Sequence, residues 1–328
     1  MDSFLFAVNA VLPIILLVAL GYALKKLGLI RMELAKALNR LVFRVFLPVT
    51  LFLNIYKLEG FASISLGYIG YALCVILGFF LLSIPFSCLV TKDPLRRGPL
   101  SQVVFRSNFA LVGLPLAALL FGDAGIATAA LLSAPSVPLF NVLAVISLSL
   151  FAGGEKKASV RDILLGIIKN PLIIAVFSGL LVLGVRGLLT SADIAFRLSD
   201  LAPLYKAAEY LSDLSTPLAL LALGAQFEFS AVKELRREIV AGTLARVLLV
   251  PLIGIGVAFL FFRDRFTGAQ FAALVALFAT PVAVSSLPMA QEMGNDARLA
   301  GQLVVWTTLF SAFSIFLASL LLRLAGVF

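Results

Sequence analysis

The chain has 328 residues, 62% of them hydrophobic and 13% charged, with a mean hydropathy of +1.10. A water-soluble domain of this size carries roughly twice that share of charge, so the composition excludes one and indicates an integral membrane protein. The net charge of +9 is dispersed in short Lys and Arg clusters between apolar runs, which excludes a nucleic-acid-binding face and reads as topology signals.

Histidine is absent, so no Ser-His-Asp or Cys-His nucleophile and no His-ligated zinc can form. An enzyme is not expected, nor a cofactor or a metal.

Apolar runs long enough at ~1.5 Å per residue to cross a ~30 Å hydrocarbon core predict ten helices. They fall near 4–24, 34–56, 66–90, 100–121, 125–151, 170–187, 203–226, 238–262, 268–291 and 297–323. The first follows Asp2, has no small-x-small cleavage site before Lys25-Lys26, and reads as a retained helix. The second contains Phe46-Leu47-Pro48. The third holds Cys74 and Cys88, about 21 Å apart along a helix axis, too far for a mutual disulfide. The fourth runs Ser107-Asn108-Phe109-Ala110-Leu111-Val112-Gly113-Leu114-Pro115, and the fifth carries Asn141. The seventh contains Ser215-Thr216-Pro217, the eighth Arg246, and the ninth Thr280-Pro281 followed by Ser285-Ser286-Leu287-Pro288.

Of the 26 Lys and Arg, 16 fall on one side of this ten-span path, including Lys25, Lys26, Lys156 and Lys157. Seven fall on the other, including Lys57, Arg263 and Arg265, while Arg44, Arg106 and Arg246 lie inside spans. By the positive-inside rule the richer side is cytoplasmic and both termini face outward.

Five spans per half then invert the second half relative to the first. Internal similarity agrees: Pro13 and Gly21 match Pro171 and Gly179, and Leu47-Pro48 matches Thr216-Pro217. Leu114-Pro115 with Asp123-Ala124 matches Leu287-Pro288 with Asp296-Ala297 at one constant offset. The expectation is an all-α membrane protein of two inverted five-helix repeats, 1–152 and 170–328, joined by a cytoplasmic linker 153–169. That pattern is the signature of a secondary transporter; chance similarity among leucine-rich segments is the plain alternative.

A membrane helix loses backbone bonds only where protein or water replaces them, so helices broken at mid-depth indicate a lined cavity. Pro115 in the fourth span and Pro281 and Pro288 in the ninth mark such breaks, and half-helix N-termini there favour an anion. Gly113 and Leu114 beside Pro115, with Asn108, Asn141, Ser285 and Ser286, complete the candidate substrate site. Prolines that only kink their helices are the rival reading. Arg44, Arg106 and Arg246 read as headgroup-seeking side chains, with attraction of an anion as the sharper alternative. No mid-depth carboxylate for a coupling cation is evident; Asp213 and Glu292 come nearest, and Glu59, Asp123, Glu209 and Asp296 sit at boundaries.

These residues resemble the auxin efflux carrier family. The resemblance is carried by Asn39-Arg40, Phe46-Leu47-Pro48, Ser107-Asn108-Phe109, Gly113-Leu114-Pro115-Leu116, Leu211-Ser212-Asp213, Leu223-Gly224, Arg246 with Pro251, Thr280-Pro281-Val282-Ala283 and Ala290-Gln291-Glu292. It implies a scaffold of spans one, two, six and seven and a transport domain from the rest. It implies a crossing at Pro115 and at 281–288, Asn108 on a substrate carboxylate, and Leu47 as a pocket position. The chain departs from plant members in lacking their long cytoplasmic loop, in the place of Pro288, and in Ala110 where many relatives have glycine. These departures point to a bacterial inner-membrane carrier and away from auxin.

The expected function is a carrier or uniporter of a small organic anion working by alternating access. The partners expected are that anion, the lipid bilayer and a second copy through the scaffold helices, with no nucleic acid. An Na⁺- or H⁺-coupled symporter, or a membrane sensor that moves nothing, is the alternative.

Overall fold

A computed structural model describes residues 2–57, 66–152, 165 and 167–328, with side chains from residue 12 onward. Lys156, Lys157, Arg161 and most of the expected linker lie outside the described residues, as does Glu59.

The described residues form helices and no sheet. In chain order they are α1 (Asp2–Lys26), α2 (Met32–Leu41), α3 (Leu47–Tyr56), α4 (Leu66–Val90), α5 (Pro94–Phe105), α6 (Leu114–Phe151) and α7 (Pro171–Ser191). Then follow α8 (Ala202–Gln226), α9 (Phe229–Glu234), α10 (Arg236–Leu244), α11 (Val250–Phe262), α12 (Gly268–Phe278), α13 (Ser286–Glu292) and α14 (Ala297–Leu324). Six continuous stretches among them are long and apolar enough to cross a membrane: Met32–Tyr56, Leu66–Val90, Phe109–Phe151, Pro171–Ser191, Arg236–Phe262 and Ala297–Leu324. In α6, Phe121 and Gly122 (φ 58°) leave helical geometry, so the long stretch folds back where the sequence predicts a turn. The conformation at Gly122 is open to glycine because it has no Cβ.

Three five-residue π-helical turns, Val42–Phe46, Phe109–Gly113 and Ala245–Leu249, each end two residues before a proline: Pro48, Pro115 and Pro251. A proline ring clashes with the carbonyl four residues back and offers no N–H. Widening the preceding turn by one residue relieves both problems without breaking the helix. The wider bonds are visible where Leu47, Leu114 and Val250 donate to the carbonyls of Val42, Phe109 and Ala245.

Small residues set the closest packing, as in membrane bundles where backbones must approach for dispersion to act. Gly21 of α1 lies on the Leu221 carbonyl of α8, and Gly224 of α8 on the Val18 carbonyl of α1, leaving no room for a Cβ at either. α3 packs on α7, where a Cβ on Gly179 would stand 3.0 Å from Ile55 Cβ. Elsewhere α4 packs on α5 and α6 on α12, and hydroxyls tie α4 across: Tyr71 donates to Gly254 O at 2.7 Å and Tyr68 to Gln270 O at 2.9 Å. Asp93, Asn170 and Asp296 cap α5, α7 and α14 by accepting from Leu95, Leu172 and Leu299.

Candidate functional site

α5 ends at Phe105, and the chain runs extended through Arg106 (φ −92°, ψ 115°) to Asn108 (φ −83°, ψ 48°) before helix resumes at Phe109. α12 ends at Phe278 and helix resumes at Ser286. The two breaks pair with each other. Ser107 and Val282 form an isolated antiparallel bridge, Asn108 N donates to Pro281 O at 2.8 Å, and the Ser107 and Thr280 hydroxyls lie 2.9 Å apart.

The crossing therefore lies at 106–108 and 279–285; the first arm corrects the expectation of Pro115, and the second overlaps the expected stretch 281–288 without reaching Pro288. Pro115 sits in the first turn of α6 behind its π-helical turn, and Pro288 in the first turn of α13. In the first turn of α13 the backbone N–H groups have no intrahelical partner in any case, and at Pro115 the widened π-helical turn accommodates the ring, so neither proline needs a break. Pro281 alone stands in one.

Two arginines converge on the crossing, and both correct the headgroup reading, because Arg106 is 3% and Arg246 1% exposed. Arg246 donates from Nε to Thr280 O at 2.8 Å, from Nη1 to Val104 O at 3.4 Å and from Nη2 to Leu277 O at 3.4 Å. It caps the C-terminal ends of α5 and α12, each of which carries about half a negative charge and carbonyls without helical partners.

Arg106 has different partners. Nη1 donates to Gln102 Oε1 at 2.9 Å and to Met289 Sδ at 2.8 Å, and Nη2 to Asn141 Oδ1 at 2.9 Å and Ser285 Oγ at 2.7 Å. All four acceptors are neutral side-chain atoms. Arg44 is exposed and, with Arg40, pairs with Glu292 at 3.5 and 3.6 Å.

Beside the crossing is a cavity of about 110 Å³, lined by Arg106, Ser107, Asn108, Asn141 and Ser285 on one side. Leu47, Thr50, Asn54, Ser215 and Thr216 of α3 and α8 line the other. A wider space of about 380 Å³ shares Thr50, Asn54, Leu111 and Thr216 with it and reaches Leu114 and Lys57. At the opposite end α2 and α13 are closed on each other, Asn39 Nδ2 donating to Gln291 Oε1 at 3.1 Å and Gln291 Nε2 to Lys36 O at 3.2 Å. Glu292 belongs to this closed end and Asp213 is exposed on α8.

Of the expected site residues the structure brings Asn108, Leu47, Asn141 and Ser285 together on the narrow cavity, and Leu114 onto the wide one. Gly113, Pro115, Pro281, Ser286 and Pro288 line neither. Gly113 is taken up by packing, since a Cβ there would meet Phe109 Cδ2 at 2.5 Å and Ala276 O at 2.8 Å. Pro115 is exposed, Pro288 is buried inside α13, and Pro281 contributes its carbonyl to the crossing. Sequence reasoning missed Thr50, Ser215 and Thr216; the signal was their place next to Pro48 and Pro217, which the internal repeat had already paired.

A family profile described as membrane transport protein matches residues 6–158 and 149–319. The chain is similar to an uncharacterized transporter of Methanothermobacter thermautotrophicus, with 26% identity over 97% of this chain and 99% of the relative. It is also similar to an uncharacterized transporter of Methanocaldococcus jannaschii, with 25% identity over 92% and 94%.

Proposed function

Because the chain belongs to this membrane transport protein family, that of the auxin efflux carriers, we propose that it is a secondary carrier or uniporter of a small organic anion. The observation that carries the reading is the paired break of two helices beside a polar cavity, since unpaired backbone at membrane depth is tolerated only where protein or a lined cavity receives it. Ten spans in an inverted five-plus-five repeat are part of the proposal. Ser107 and Thr280, which bond each other, are separated by 173 residues. That is also the offset between Leu114-Pro115 and Leu287-Pro288. Residues that meet their own repeat counterparts sit on a pseudo-two-fold axis, where inverted-repeat carriers hold their solute.

The cavity continues toward Lys57 and is shut by α2 and α13 at the other end. With the Lys-rich side cytoplasmic, this is an outward-facing state in the cell membrane, and rocking of α4–α6 and α10–α14 against α1–α3, α7 and α8 would reverse it. Uptake and efflux of labelled mono- and dicarboxylates in proteoliposomes test the function. Flux that rises with a carboxylate gradient is expected. No flux of any such solute would leave the non-transporting sensor standing. Cysteine labelling at 157 and 264 in intact cells tests the topology, with only residue 264 expected to react from outside.

A further inference from the structure

We propose that Arg106 is the anion-binding group of the crossing cavity and that its ligand is a small aliphatic carboxylate, an inference that rests on this cavity being the solute site. The guanidinium is buried, lines the cavity, and spends both terminal nitrogens on neutral acceptors. None of the ion pairs among the described residues includes it.

A lone cation taken out of water is strongly disfavoured, and neutral hydrogen bonds recover only part of that. A carboxylate recovers the rest, because its two oxygens match the guanidinium fork. Two more donors line the same cavity, Asn108 Nδ2 beside Arg106 and the Ser215 hydroxyl on the facing α8 wall; both are buried and find no partner among the described residues. The Ser285 and Asn141 acceptors are side-chain atoms and can rotate away as a ligand arrives. Leu47, Leu51, Val137 and Phe140 supply an apolar wall for a short carbon chain, and about 110 Å³ holds several waters or an anion of a few carbons.

The test uses the purified full chain in detergent, with thermal melting followed against sodium acetate, pyruvate, malonate and succinate, and against acetamide and malonamide, at constant ionic strength. At least one carboxylate should raise the melting temperature saturably while the amides do not. Arg106→Gln should weaken that carboxylate's Kd by roughly 10- to 100-fold, the range for a hydrogen bond to a charged group. Arg106→Lys should keep part of the affinity, a point charge replacing the fork. Three results would overturn the assignment: no anion binds, the amides bind as well, or Arg106→Gln leaves the carboxylate Kd unchanged. If Arg106→Gln does not fold, the comparison of carboxylate with amide on the wild type and on Arg106→Lys decides. Flux of a neutral solute that survives Arg106→Gln would sink the anion site and keep the carrier. Arg106-dependent carboxylate binding without flux in proteoliposomes would sink the carrier and keep the anion site.

Discussion

Arg106 and Arg246 are both buried within the same crossing, yet one is bound to backbone and the other to side chains. The Arg246 carbonyls are fixed at the ends of α5 and α12 and cannot leave without unwinding a helix. Gln102, Asn141, Ser285 and Met289 around Arg106 need only a rotamer change to let go. Burial alone therefore does not separate an arginine locked to backbone from one held by side chains that can exchange it; the kind of acceptor does.

The largest effect that would sharpen or break this contrast is Arg246→Met. Leaving a buried acceptor without its donor costs about 1–3 kcal/mol, and the carbonyls of Thr280, Val104 and Leu277 all lose theirs, so the variant should melt well below wild type or fail to accumulate. A melting temperature within a degree or two of wild type would show that the caps are dispensable and collapse the distinction. The same measurement on Arg106→Gln should show a much smaller fall in the unliganded protein.

Asn108→Ala tests the binding side of the contrast with less disturbance. Its Nδ2 has no partner among the described residues, so unliganded stability should hardly change, while carboxylate affinity falls by roughly 10- to 100-fold if the amide donates to the anion. A destabilised variant with normal affinity would make Asn108 structural.

Gly113→Ala should cost about 1–3 kcal/mol through overpacking against Phe109 and the Ala276 backbone. Melting without ligand would reveal it, and carboxylate affinity in the folded fraction should stay near normal. A loss of affinity at unchanged stability would place Gly113 on the solute after all.

The smallest effect is expected for Glu292→Gln at the closed end. Arg40 and Arg44 are mostly exposed, which limits the pairs to about 0–1 kcal/mol. A loosened α2–α13 contact should raise the labelling of Ser285→Cys from the Lys36 side while melting barely moves. Unaltered labelling would mean that Asn39 and Gln291 hold that end without the ion pairs.

Much of the fold was legible in the sequence, and particular residues show why. Apolar runs predict helices because a segment in lipid must satisfy its own backbone. Asp93, Asn170 and Asp296 announce helix starts, and Gly122 announces the fold-back inside α6. That Asn108, Asn141 and Ser285 line a cavity was legible because each is a polar group at a depth where lipid makes it costly. Pro115 and Pro288 misled for a local reason: a proline marks a missing N–H, but a π-helical turn or a helix's first turn absorbs that loss without a break.

The sequence by itself determined that this is a helical membrane protein, where most of its helices begin and end, and to which family it belongs, since these follow from hydropathy, caps and motifs within short windows. Only the tertiary structure decided which partners Arg106 and Arg246 take. Both sit inside predicted spans. Yet the partners of Arg106 lie 4, 35, 179 and 183 residues away, and those of Arg246 31, 34 and 142 away. Whether a buried charge meets a carbonyl or a cavity depends on how separate helices cross, which no window of sequence contains.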